Sequence, residues 1–167
     1  MSEEDPFSKT SFPPISDANT EILILGSLPG DQSLKAREYF AHPRNRFWKI
    51  IAAITNEALP RTYPEKLELL HRNRIGLWNV LNKASRKGSL DSAISDGIPN
   101  DLPAFMAEHK KLKVVAFDGI KPETLYDRHF SRRSDLAYFR LPGCSPANAR
   151  FDLKTLCERW AEILDHR

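Results

Sequence analysis

Cysteine is scarce in this chain: there are two, Cys144 and Cys157. That is too few for a four-thiolate cluster or a disulfide scaffold, and a reducing cytosol suits such a chain. No run of about 20 apolar residues occurs, so no membrane span is expected. The N-terminus, MSEEDPFSK, is acidic and lacks the apolar stretch of a signal peptide. Internal repeats and low-complexity tracts are absent. His42 and His71 stand alone, so neither a metal site nor a metal cluster is expected. GSLPGDQS at 26–33 lacks the Gly-Lys-Ser/Thr ending of a P-loop, which argues against nucleotide triphosphate hydrolysis. It also lacks the later glycines of a dinucleotide fingerprint. No Cys-x-x-Cys accompanies a His-x-Glu, which excludes a zinc deaminase. No Gly-x-Ser-x-Gly elbow is present. No cofactor is called for.

What is present reads as one globular unit. A length of 167 residues favours a single domain with a real core, and 41% hydrophobic with 28% charged residues is an ordinary mix. A net charge of +3 points weakly to an anionic partner. Basic residues cluster at Arg44 and Arg46, at His71 to Arg74 and at Arg128 to Arg133. Each cluster alone reads as solvated surface.

Residues 1–20 are polar and carry Pro6, Pro13 and Pro14, which suggests a flexible arm pinned by Phe12 and Ile15. Residues 21–167 would form one α/β domain. ILIL at 22–25 is a continuous apolar run ended by Gly26, as in a strand buried on both faces. Phe47, Ile50, Ile51 and Ile54 recur at helical spacing, which predicts a helix over about 44–56. Pro64 would open a second helix that turns Leu67 and Leu70 inward. IGLWNVL at 75–81, KVVAF at 113–117 and AYFRL at 137–141 read as further strands. Asn100 or Asp101 would cap a helix burying Leu102, Phe105 and Met106, and Pro122 would start another with Leu125 and Phe130 inward. Leu153, Leu156, Cys157, Trp160 and Leu164 share one face of a last helix.

Alternating strands and helices imply a parallel sheet covered on both sides. Ligands of such folds bind outside the C-terminal ends of the strands. The unusual segments fall at those ends: GSLPG after the first strand, Asn79 in the second, FDG after the third and LPGCSPANAR after the fourth. They point to a single cleft. Gly26, Pro29 and Gly30 let backbone turn sharply and approach a ligand, or form an ordinary strand-to-helix turn. Phe40 either stacks on a flat base or packs in the core. Asn45 is either a helix cap or a holder of water or of a base edge.

ILILGSLPG followed by YFAHPRNRFWKII resembles the uracil-DNA glycosylase superfamily. FAHPRNRFWK is similar to the matching part of the mismatch-specific uracil and thymine glycosylases. GSLDSAI at 88–94 and the late LP-x-x-SPANA resemble the hypoxanthine-DNA glycosylase branch, also called DNA-deoxyinosine glycosylases. The resemblance runs from about Phe12 to Trp160. It implies a three-layer sandwich, with a four-stranded parallel sheet between helices. It also implies a monofunctional enzyme that flips a deaminated base from double-stranded DNA and hydrolyses its N-glycosidic bond. Hypoxanthine is the favoured base, with uracil or xanthine as variants. The protein would be a monomer in the cytoplasm, associated with the nucleoid, or nuclear in a eukaryote.

The resemblance also implies site residues. Gly26, Ser27, Leu28, Pro29 and Gly30 would line the base pocket, with Phe40 stacked on the flipped base. The catalytic residue would be Asn45, from the HPxN segment. Asn79 and Asp118 would complete the pocket. The segment Pro142 to Pro146 would enter the duplex, and Gly143, Cys144, Ser145, Pro146, Asn148, Arg150 and Lys154 would contact DNA around that wedge. Asn148 reads equally as a cap for the last helix. Several positions depart from the pattern. Leu28 stands where mismatch-specific enzymes hold a catalytic Asn. The second strand carries Asn79 where the hypoxanthine branch usually has Asp, and the third ends in Asp118 where Asn is usual. Gly143-Cys144 replaces Ser-Thr. These departures motivate an alternative, a DNA-damage binding module with weak or lost catalysis. No lysine stands out as a Schiff-base nucleophile, so strand cleavage is not expected.

Overall fold

The computed structural model describes residues 5–167, apart from the side chain of Asp96. The chain enters through a short strand, β1 (Ser8–Thr10), and then passes to β2 (Ile22–Gly26). Ile22, Leu23, Ile24 and Leu25 are all fully buried. Burying each such side chain contributes about 1.5–3 kcal/mol, which suits an interior strand covered on both faces. β3 (Ile75–Asn79), β6 (Val114–Asp118) and β7 (Ala137–Leu141) join it in a four-stranded parallel sheet of order β3-β2-β6-β7.

Side chains alternate across β2, and each face packs a separate core. Ile22 and Ile24 join α2 (Phe47–Ile54), α3 (Tyr63–Arg72) and α6 (Leu153–Trp160) through Ile50, Leu70 and Trp160. Leu23 and Leu25 join α4 (Leu102–Glu108) and α5 (Ile120–His129) through Phe105, Leu125 and Tyr126. The helix starts follow local rules. Thr62 and Glu65 form a reciprocal capping box on α3. The Asp101 side chain caps α4 and the Asp152 side chain caps α6, so Asn148 is not the cap of the last helix.

Four elements, β1 among them, escaped the sequence pattern. IGLWNVL divides: β3 ends at Asn79, and β4 (Leu81–Ser85) leaves for a second sheet. That antiparallel sheet has the order β1-β4-β5, with β5 at Ser95–Pro99. A helix of six residues, α1 (Asp31–Ala36), follows the first loop. The expected loose arm is also corrected for residues 5–20. β1 pairs with β4, Ile15 bridges Leu77, and Phe12 meets Tyr39 edge-on. Partners distant in sequence tie this segment down, so its own polar composition does not betray it.

The chain runs from β2 to β3 on one side, then crosses back over β2 to β6. The connection reverses between β2 and β6, so the crevice lies outside the C-terminal ends of those two strands.

Candidate active site

A cavity of about 860 Å³ opens there, within the size range of small-ligand sites. Its first wall is the loop after β2. Ser27 and Leu28 are nearly buried, at 5% and 6% exposure. The loop is held from behind by Arg86, just past the end of β4. Arg86 is 1% exposed, and its guanidinium donates to the carbonyls of Leu28, Pro29 and Gly88. The small sheet places it, since Arg86 N donates to the Phe7 carbonyl at 2.9 Å. Ser27 Oγ donates to the Asp91 carboxylate, and Ser89 Oγ accepts from Asp31 N at 2.9 Å. Burial lowers the Arg86 pKa, opposed by Asp91 and Asp31.

The floor is formed by strand ends. Asn79 sits beside Gly26 in the parallel register and is 5% exposed. Its Nδ2 is the one buried side-chain nitrogen or oxygen among the described residues that lacks a hydrogen-bond partner. Leaving a buried donor unpaired costs about 1–3 kcal/mol. A Cβ on Gly26 would come within 2.9 Å of Asn79 Oδ1, so glycine is required for this close approach. Asp118, at the end of β6, also lines the cavity. It lies deep among protein atoms and its Oδ1 accepts from Cys144 N at 2.9 Å. Burial pushes its pKa up to about 6, against the lowering effect of the Cys144 hydrogen bonds.

The second wall is the late loop, residues 142–150. Arg46 clamps it much as Arg86 clamps the first, donating to the carbonyls of Ser145, Asn148 and Phe151. Asn148 Nδ2 donates to the Gly143 carbonyl at 2.9 Å, so its amide shapes the loop. The thiol of Cys144 is fully buried, and burial pushes its pKa well up. Asp118 pushes it further in the same direction and Asn45 opposes that. Cys144 as a DNA contact is therefore corrected: no part of its side chain reaches the surface.

Asn45 and Phe40 show why the sequence left two readings for each. Asn45 Oδ1 accepts from Phe47 N at 2.9 Å, which is a capping bond at the start of α2, and Asn45 also lines the cavity. Phe40 stacks on Phe47 with centroids 4.0 Å apart, yet it too lines the cavity. Its φ of 54° lies in the left-handed region, an outlier for a bulky residue. Strain of this kind costs about 1–3 kcal/mol and gathers at functional sites.

Of the residues named from sequence, Gly26 to Gly30, Phe40, Asn45, Asn79, Asp118, Gly143, Ser145, Pro146, Asn148 and Arg150 all border this one cavity. Lys154 lies on the first turn of α6, exposed and away from its lining. Sequence reasoning missed Arg86 and Asp91, which hold the first loop. It also missed Leu90 and Ile120, apolar residues 59% and 60% exposed on the cavity. Arg86 gave no signal, because an arginine that folds inward looks like any other in a polar stretch. The basic clusters away from the cavity are largely neutralised: Arg72 by Glu57, Arg74 by Glu21, Arg132 by Glu123 and Asp127, and Arg133 by Asp135. By contrast, Lys121, Arg150 and Arg159 on the cavity enter no ion pair among the described residues.

Residues 13–164 match the family model of the uracil DNA glycosylase superfamily. The chain belongs to that superfamily. A hypoxanthine DNA glycosylase of Methanosarcina acetivorans is 38% identical over 95% of this chain and 99% of its own length. One from Methanosarcina barkeri is 45% identical over 68% of this chain and 72% of its own length. The fold is similar to the solution NMR structure of a uracil DNA glycosylase candidate from Methanosarcina acetivorans, with a TM-score of 0.79, 37% identity and coverage of 95% of this chain and 99% of that one. The first and late motifs of the sequence form two walls of the cavity. No helix among the described residues is long and apolar enough to cross a membrane.

Proposed function

We propose that this chain is a monofunctional DNA glycosylase that extrudes a deaminated base, hypoxanthine by preference, and hydrolyses its N-glycosidic bond. The observation that carries this reading is that one cavity is bordered by the half-buried ring of Phe40, by Asn45 and by Asn79, whose buried Nδ2 has no hydrogen-bond partner. A bound group with a polar edge can supply the acceptor that Nδ2 lacks, and Phe40 offers a flat face beside it. A purine with a carbonyl edge meets both demands. Similarity to hypoxanthine DNA glycosylases supports the choice of base.

The chemistry follows from what must change charge. A base within the stack cannot be attacked, and extruding it costs a few kcal/mol, least for a mismatched base. Breaking the bond develops positive charge on the sugar and negative charge on the base. Fixed N–H donors, with Asn79 the foremost, would stabilise the base as it leaves. Asn45 would orient the water that adds to the sugar. Lys121, Arg150 and Arg159, with Lys154 further out, would meet phosphates, so binding should weaken steeply with salt. The late loop presents Ser145, Pro146 and Ala147, which are small. Leu90 and Ile120 are the large apolar side chains on the rim, and they suit the role of a wedge packed against unstacked bases. The enzyme would act as a monomer on double-stranded DNA in the cytoplasm. Both relatives come from Methanosarcina, so the nuclear alternative gains no support.

A damage-binding module without turnover is the competing reading. It is favoured by the capping bond of Asn45 and by the apolar Leu28. Duplexes carrying one inosine, uracil or xanthine separate the two, with alkali cutting any abasic site. We expect hypoxanthine release, fastest of the three, and its loss in Asn45→Ala with DNA binding kept. Binding without release from any duplex would establish the module instead.

A further inference from the structure

Three carboxylates border the cavity: Asp31, Asp91 and Asp118. Asp31 pairs with Lys9, and Asp91 accepts from Ser27 Oγ. Asp118 alone lies at the strand ends, on the switch-point side of the floor. Its backbone partner is Cys144 N, and its open surface is on the cavity. Asn45 borders the same cavity, and both side chains act on the buried Cys144 thiol, Asp118 raising its pKa and Asn45 opposing that.

This arrangement answers a chemical need that Asn45 cannot meet. Water that adds to the sugar must lose a proton, and an amide can orient water without accepting one. Leu28 brings no polar side-chain atom to the first loop. We propose that Asp118 is the general base of the reaction, taking the proton of the water that Asn45 places. The inference rests on the glycosylase reading above. As the C1′–N bond breaks, its electron pair departs with the base. The water oxygen bonds to C1′, and one water proton passes to the Asp118 carboxylate. The base anion takes a proton from solvent, and Asp118 returns its own to solvent. The sum is one water consumed, one free base and one abasic sugar.

The surroundings of Asp118 fit the role. Burial pushes its pKa up to about 6, which makes it a stronger base than a surface carboxylate while leaving it ionised at neutral pH. From the late loop it faces the Cys144 thiol, which burial keeps protonated. Asp91, in a short turn of 3₁₀ helix at 91–93, adds a like charge that raises it further. Lys121 of α5, Arg140 of β7 and Arg150 of the late loop bring positive charge to the same cavity without hydrogen-bonding to it. His42 is the histidine that borders the cavity, so it must be controlled.

The test is single-turnover release of hypoxanthine from an inosine duplex between about pH 5 and pH 8, with wild type, Asp118→Asn and His42→Asn. The amide oxygen introduced by Asp118→Asn would still accept from Cys144 N, so the fold should survive, and a thermal melt checks this. We expect the wild-type rate to fall as pH drops through about 6, approaching tenfold per unit. Asp118→Asn should be slower by about 100-fold or more at pH 7.5, with that acid limb gone. His42→Asn should keep the limb. Release by Asp118→Asn at the wild-type rate would overturn the inference and leave the glycosylase reading intact. So would a wild-type rate that is flat or rises as pH falls through 6, even if the variant does not fold. No release by wild type from any duplex would overturn both.

Discussion

The two loops that wall the cavity are held by the same device in different solvent. Behind the first loop Arg86, 1% exposed, donates to three backbone carbonyls, and behind the late loop Arg46, half-buried, donates to three others. A guanidinium offers five N–H donors in a rigid fork, which suits one side chain to several carbonyls of a turn. The difference is water. Two of the acceptors of Arg86, on Leu28 and Pro29, lie in buried residues, whereas those of Arg46, on Ser145, Asn148 and Phe151, lie in exposed or half-buried ones. The first loop is thus a fixed wall, built before any ligand arrives. The late loop, with Ser145, Ala147 and Arg150 exposed, is a lip open to solvent.

The comparison can be broken by mutation. Arg86→Ala strands buried carbonyls and should cost about 3–5 kcal/mol in urea unfolding. Arg46→Ala should cost about 1–2 kcal/mol, since water can take over its bonds, and should weaken DNA binding more than folding. Equal losses in both variants would erase the distinction between wall and lip. The glycines sharpen it. Gly26→Ala forces a contact of 2.9 Å with Asn79 Oδ1, and we expect about 1–3 kcal/mol of destabilisation with a clear loss of base release. Gly143→Ala meets nothing nearer than 3.9 Å, so its stability should stay within about 0.5 kcal/mol of wild type. Leu90→Ser and Ile120→Ser sit on the open rim. They should leave melting unchanged and reduce affinity for an inosine duplex only several-fold, read by titration at fixed salt.

The floor adds a dependence on pH. Asp118 in the folded protein holds its proton more tightly than in the unfolded chain, with a pKa of about 6 against 3.8. The folded state therefore binds more protons across that interval, and stability falls as pH rises from about 4 to about 6. Above that window Asp118→Asn should melt higher than wild type, and the margin should shrink at pH 5. A melting difference independent of pH would mean that the carboxyl is not desolvated as described.

Much of this was legible before any coordinates. ILIL and the VVAF of KVVAF are apolar because both faces of an interior parallel strand are covered, whereas AYFRL, with exposed Arg140, is the half-buried edge of the same sheet. Leu102, Phe105 and Met106 recur at helical spacing because one stripe of α4 meets the core. IGLWNVL misled for a physical reason. It is apolar throughout, but it belongs to two sheets, and the break after Asn79 depends on partners at Gly26 and Pro99. Composition cannot mark where a strand changes partner. Nor can it say that Ser8–Thr10 pairs with a strand more than seventy residues away.

By itself, then, the sequence determined the alternation of strands and helices, the parallel sheet and the end of that sheet where the cavity opens. Those follow from periodicity and from glycine and proline at strand ends, which act over a few residues. Tertiary structure alone decided that Arg86 turns inward, that Cys144 is sealed under the late loop and that Asn79 keeps an amide without a partner. It also decided that Asn45 both caps a helix and borders the pocket. These outcomes depend on which groups meet across distant segments and on how much water is left between them. No local pattern of residues encodes that.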